Sequence, residues 1–488
     1  MTEQKLSTKS AIFLSLTSMI GAGIFIKTQT LNSLAHNRVG PIVFLFLVFL
    51  VNMFAFCRVL VKIIPSQKGN MGFMGWSHKL CSPRLHICCC NFMRYFYHPI
   101  SLLLFSVYAI VGMTEGMLGV FSTMFLSCFL AFVFMLINFL SFKWAHRLQI
   151  ILSCLVVIPL LLLPIVALAA PRNISDMEAT VVPKTASGLA SLGPWMLLFS
   201  GLPSLLFIYD GFYGVAALKD RLKKPGSLSF VILASIVIVT IIYLNIIVSF
   251  NIGDSLEADY RNFRFFSGRP VLKDLFSILI SCASLLTLNS IAMSSLPQLT
   301  AMHDTHRFSD IVKIKKSIFY KNIAEEENFE ERFTIWIYLL FKTLIWFLLV
   351  GFIVFFMQQY GLSNSPMEII DSLADIVTVF VFLILLFVIL GSFKKKNIRK
   401  SVGFKVCALF SGGTIVLALF YLIISYIVGT TGFGDSNVFN SWVKLILIIG
   451  FIIGCCYWQI KDFLDGRLNK KSLTLYPKHR KGSIIILK

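Results

Sequence analysis

Apolar runs of 18 or more residues recur from end to end of the chain, separated by short polar stretches that hold nearly all of the charge. About 20 apolar residues in a helix cross the roughly 30 Å of bilayer hydrocarbon, so each run predicts a spanning helix. The spans fall at 11–35, 41–63, 92–112, 117–140, 148–170, 194–217, 228–250, 271–300, 333–358, 367–391, 403–428 and 440–462. The pattern therefore predicts an all-α polytopic membrane protein of about twelve helices. Arg94 and His98 lie near the start of the third span and make it the least regular of the set. The first apolar run begins near Ala11, lacks a small-residue cleavage site, and reads as a spanning helix, not a signal peptide.

Composition agrees: 57% of the 488 residues are hydrophobic, 14% are charged, and the mean hydropathy is +0.82. Soluble domains are about one-quarter charged. The formal charge of +21 raises nucleic acid as a partner, but the basic residues fall in alternate loops and no soluble basic module with interleaved aromatics is present. The positive-inside rule accounts for the excess. With the N-terminus inside, Lys62, Lys79, Arg84, Lys143, Lys223, Lys224, Lys394 and the basic tail are cytoplasmic. The outer loops keep few cations, Lys27, Arg38, Arg172 and Lys444 among them. An even number of spans places both termini in the cytoplasm and the protein in the cell membrane.

The expected organisation is a short N-terminus (1–10), a first five-helix unit (11–170), an outer loop (171–193) and a second five-helix unit (194–391) with an inner loop at 303–332. Two further helices (392–463) and a basic tail (464–488) complete it. Most of the eleven cysteines lie in apolar runs, where they behave as small hydrophobes. Cys88, Cys89 and Cys90, near His86 and Arg94, read as packing residues at a helix start or as an acylated or metal-touching cluster.

Two spans carry breaks. The first contains Ser18-Met19-Ile20-Gly21-Ala22-Gly23-Ile24-Phe25. Glycine lets a helix unwind without side-chain clash, and unwinding exposes carbonyls at one half-helix end and N–H groups at the start of the next, which attract a cation and an anion respectively. A zwitterionic amino acid needs that pair. The same small residues also suit a helix-packing surface. The sixth span contains Phe207-Ile208-Tyr209-Asp210-Gly211-Phe212-Tyr213-Gly214. A carboxylate in a span normally faces a cavity or a partner, so Asp210 either caps a half-helix beginning at Gly211 or attracts an ammonium group or proton. Acids inside spans are read as nearly limited to Asp210. Breaks five spans apart point to an inverted repeat with a midplane site.

At these residues the chain resembles the amino acid–polyamine–organocation superfamily of permeases. The S-M-I-G-A-G-I-F segment is similar to its first-helix G-x-G-I-F signature. Y-D-G-F-Y, followed by Lys223-Lys224-Pro225, resembles its sixth-helix D-G-F/W stretch and the basic-proline turn after it. The resemblance implies a leucine-transporter-like fold, a 5+5 inverted repeat plus two C-terminal helices. It implies a secondary transporter, a symporter or antiporter, that moves amino acids or polyamines by alternating access. The substrate would lie between the broken helices, at Met19, Ile20, Gly21, Ala22, Gly23, Phe207, Tyr209, Asp210 and Gly211. Its carboxylate would meet N–H groups around Gly21 to Gly23, and its amine the carbonyls near Met19 and Phe207 to Tyr209. Phe207 or Tyr209 would gate the pocket.

The chain departs from the family's pattern in places. Arg221 stands where many members have an acid, and Val156 where some proton-coupled members carry a lysine. Ser281, Ser284 and Thr287 are candidates to ligate sodium, so H+ and Na+ are both candidate coupling ions; no cofactor is expected. Membrane lipid is the other expected partner. No clustered nucleophile, base or metal ligand lies in the spans, which argues against an enzyme. The rival reading is a permease-like amino acid sensor without net flux.

Overall fold

The computed structural model describes residues 7–20, 23, 27, 31, 39–63, 71–169, 201–216, 222–253, 263–306, 311, 327–360, 367–395, 398, 400–430 and 438–464. Among these residues, nine helices are long and apolar enough to cross a membrane. They include α2 (Val39–Ile63), α6 (Val120–Leu140), α7 (Phe142–Ala169), α9 (Leu228–Gly253), α10 (Pro270–His306), α11 (Glu327–Gln359), α12 (Met367–Lys394) and α13 (Val402–Thr430). The first and sixth spans are absent from that set because neither is one continuous described helix. α1 covers Thr8–Met19 and ends at Ile20, while α8 covers only Leu202–Ile208 and passes into turns. α14 (Val438–Leu464) closes the chain, with a shorter apolar stretch at Ser441–Tyr457.

The third span differs most from the pattern reading. Helix begins at Pro83, well before position 92, and runs without interruption to Thr114. It comprises α4 (Pro83–Phe92), one π-helical turn (Met93–Tyr97) and α5 (His98–Thr114). The wider turn absorbs the polar residues that obscured the start: Arg94 is buried, donates to Asn91 and to the Tyr95 hydroxyl, and stacks on the Tyr95 ring. Proline at the first turn and Ser82, which accepts from the Leu85 amide, start the helix. A short helix, α3 (Phe73–Leu80), precedes it. The outer loop 171–193, most of the 303–332 loop and the tail from 465 onward lie outside the described residues.

α10 packs along α5 and α7, α1 crosses α9 and α10, and α8 rests on α12 and α13. The interior is not uniformly apolar. Gln149 of α7 donates to Thr17 of α1 (2.8 Å) and Ser290 of α10 (2.6 Å) and accepts from Asn289 (2.6 Å). Asn289 in turn accepts from Asn138 of α6 (3.0 Å). This neutral amide cluster joins four helices and is buried, where an unpaired polar group is costly. Gln149→Leu removes a buried hydrogen bond from each of Thr17, Asn289 and Ser290 at once. Thermal unfolding in detergent is expected to show a loss of about 1–3 kcal/mol, the cost of leaving buried polar partners unsatisfied.

Candidate functional site

The two breaks meet. Gly211 follows α8 with φ +93°, a left-handed conformation that side-chain-bearing residues rarely adopt. Its backbone approaches the end of α1 so closely that a Cβ would stand 2.6 Å from the Ser18 carbonyl oxygen. The Ser18 hydroxyl donates to the Gly211 carbonyl (3.1 Å), which ties the two irregular segments together directly. A second tie comes from α9: the Tyr243 hydroxyl lies 2.7 Å from the Met19 carbonyl and 2.9 Å from the Ile208 carbonyl. One hydroxyl, with one proton to donate, thus bridges a carbonyl at the end of each broken helix.

A cavity opens beside this junction, with about 50 Å³ accessible to the centre of a water molecule. Its polar wall is Ser18, Asp210, Thr287, Ser290, Ser294 and Gln298, and its aromatic wall is Phe73, Tyr97, Phe105, Phe207 and Tyr213. Asp210 is both a local cap and part of the cavity wall. Its Oδ1 accepts from the Gly211 amide (2.9 Å), a local cap, and the residue lines the cavity. The Tyr213 hydroxyl also donates to Oδ1, and the Tyr97 hydroxyl stands 3.0 Å from that of Tyr213.

Of the positions expected to hold substrate, Met19, Gly23, Phe207, Asp210 and Gly211 line the cavity. Ile20 is buried at the end of α1. Gly21 and Ala22 lie outside the described residues. Tyr209 is turned elsewhere: its hydroxyl bonds Thr240 (2.9 Å) and its ring packs on Phe49 and Tyr243. Among the sodium candidates, Ser281 and Thr287 return their hydroxyls to carbonyls of their own helix.

Phe207 roofs the cavity. Its ring would lie 2.8 Å from a Cβ at Gly23, and it stacks on Phe105 with centroids 6.0 Å apart. Above the roof is a charged layer that corrects two sequence readings. Lys27 is not a loop cation: it is 1% exposed, with Nζ 2.9 Å from Asp375 Oδ1, 3.2 Å from the Asp371 carbonyl and 5.5 Å from the Phe207 ring centre. Asp210 is therefore not nearly alone, since Asp371 and Asp375 sit inside α12. Tyr108 of α5 donates to the Asp371 carboxylate (2.7 Å). The i, i+4 spacing of the two acids puts both on one face of α12, a legible signal once a partner on the first span is sought.

Among the described residues no group of three or more His, Cys, Asp or Glu side chains is placed to hold a metal ion. Cys88, Cys89 and Cys90 sit in α4, where Cys88 Sγ lies 3.9 Å from Cys456 Sγ of α14 and Cys90 packs on His86.

A helical membrane bundle with a polar cavity between two broken helices is the architecture of a secondary transporter. The amino acid permease family model matches residues 6–456, and the chain belongs to that family. Among solved structures it is similar to the manganese transporter of Eremococcus coleocola. A histidine-to-alanine mutant of that protein matches with TM-score 0.54 and 12% identity, covering 93% of this chain and 94% of the other. Its complex with an aromatic bis-isothiourea compound matches with TM-score 0.54 and 13% identity over the same shares. At these identities the likeness shows the fold alone. A Mycoplasma pneumoniae protein described as uncharacterized is 25% identical over 288 residues, and the chain spans about half the length of that curated relative.

Proposed function

We propose that this membrane transporter moves amino acids or related small amines across the cell membrane by alternating access, with both termini cytoplasmic. The observation that carries the reading is the cavity at the junction of the two helix breaks, roofed at one end by Phe207 and the Lys27–Asp375 pair. In the positive-inside orientation that roof faces outward, and the cavity lies on its cytoplasmic side. A solute held beside Ser18 and Gly211 touches both irregular segments at once, so its binding energy can bias the equilibrium between two packings of the bundle. The chemistry is non-covalent throughout. The neighbours' metal cargo is not carried over, because the cavity offers one carboxylate amid neutral groups.

The test is uptake into proteoliposomes with labelled amino acids and polyamines, with and without proton and sodium gradients. Saturable uptake is expected from the wild type. Gly23→Leu, whose side chain collides with the Phe207 roof, is expected to lower it by at least about 100-fold, as misplacement of a binding geometry does. Ligand binding without flux identifies the sensor reading instead.

A further inference from the structure

We propose that the cavity selects substrates with a net positive charge, and that Asp210 is the counter-ion for a primary ammonium group on an alkyl stem. The proposal rests on the transporter reading above and names its substrate class.

Four observations converge. The first is the acceptor count at Asp210. An ionised carboxylate offers about four acceptor sites, and the Gly211 amide and Tyr213 account for two. The bonds from Gly211 and Tyr213 land on Oδ1, which leaves acceptor capacity on Oδ2 for a ligand that donates.

The second is charge. The other polar groups in the lining are hydroxyls of serine, threonine and tyrosine and one glutamine amide, so among the described lining residues the cavity holds one acid and no lysine or arginine. The nearest basic layer, at Lys27, is already engaged by Asp375 and by the Asp371 carbonyl. An uncompensated carboxylate in a span is strongly disfavoured unless a cation or a proton joins it, and a cationic solute supplies that missing charge while leaving the acid ionised.

The third is the state of the helix-end carbonyls. A neutral zwitterion would place its ammonium on the carbonyls exposed by the breaks, but Tyr243 lies against those of Met19 and Ile208. That hydroxyl crowds the two carbonyls and lowers their capacity for an ammonium group, which favours Asp210 as its partner. The fourth is the wall. Tyr97, Phe105, Phe207 and Tyr213 present aromatic surface next to the acid, a setting that favours an ammonium group through cation–π attraction.

The shared chemistry has two sources, a cationic amino acid or a diamine, and the probes separate them. Wild-type, Asp210→Asn and Asp210→Glu proteins are reconstituted, and counterflow of labelled ornithine, putrescine, alanine and leucine is measured. A thermal-shift measurement with ornithine and with putrescine reports binding separately. Wild type is expected to take up ornithine or putrescine at least about 10-fold faster than alanine or leucine. Asp210→Asn should weaken that uptake by about 10- to 100-fold, the range for one charge-assisted hydrogen bond. Asp210→Glu, which restores the charge on a longer arm, should recover part of it. Equal uptake of neutral and cationic probes, or cation uptake unchanged in Asp210→Asn, overturns the substrate class and leaves the transporter reading standing. No flux of any probe, with an ornithine or putrescine shift that Asp210→Asn abolishes, keeps the cation site and overturns transport. No flux and no shift overturns both.

Discussion

Gly211→Val is expected to abolish transport while leaving the protein inserted in the membrane. Two independent costs fall on that one position. The φ of +93° is unfavourable for any residue with a β-carbon, by about 1–2 kcal/mol. The new side chain would also meet the Ser18 carbonyl, 2.6 Å from the Cβ position, and overpacking of that kind costs about 1–3 kcal/mol more. Neither cost affects the long helices that carry insertion, so the strain is relieved where the chain is irregular, by separating the two breaks. Ser18 then loses its bond to the Gly211 carbonyl, and the amide that caps Asp210 moves with it. The check is paired: expression and monodispersity like wild type, with uptake at background. Gly211→Ala should show the same direction with a smaller loss.

Lys27→Met is expected to be strongly destabilising. It leaves Asp375 in place without its cation, and breaking one side of a buried pair costs about 3–5 kcal/mol because the remaining charge is stranded. Asp371 lies one turn away on the same face and adds repulsion. Replacing both members, Lys27→Met with Asp375→Leu, should recover much of the loss, since an apolar pair of similar volume is often neutral or better. The double variant separates stability from gating. If the charged layer only supports the fold, transport should recover with the melting temperature. If it holds the Phe207 roof closed, as its position above that ring implies, the double variant should be stable and leak substrate. Thermal unfolding and efflux from preloaded vesicles read the two effects.

What could be read from the chain beforehand follows a physical line. Apolar runs long enough to cross a bilayer announce themselves locally, so the long spans, the breaks at Gly21 to Gly23 and at Asp210-Gly211, and the family are all visible without coordinates. Pairings between distant residues are not. Gln149 reads as one amide near the start of an apolar helix, and its partners stand 132 and 141 positions away. Tyr243 lies 224 residues from the carbonyl of Met19, and nothing near it in sequence signals that contact. Lys27 misled for another reason. Charges near a span end are normally solvated, so counting it with the outer loop followed the general rule, whereas here two acids on α12 draw it inward. Arg94 and His98 obscured the third span because a buried arginine is rare in hydrocarbon; a π-turn and neighbouring tyrosines accommodate it.

The central claim is that a solute binds between the two breaks and is exposed to one side of the membrane at a time. Gly214→Cys tests it most directly, because position 214 lines the cavity and has open space around a new β-carbon. Labelling with a membrane-impermeant thiol reagent, applied from either side of oriented vesicles and scored against wild type, reports which side reaches the site. The account predicts labelling from the cytoplasmic side, protection by a transported solute, and a shift toward labelling from the outer side when the Lys27–Asp375 pair is removed. Labelling that no solute affects, or that proceeds equally from both sides at once, would contradict it.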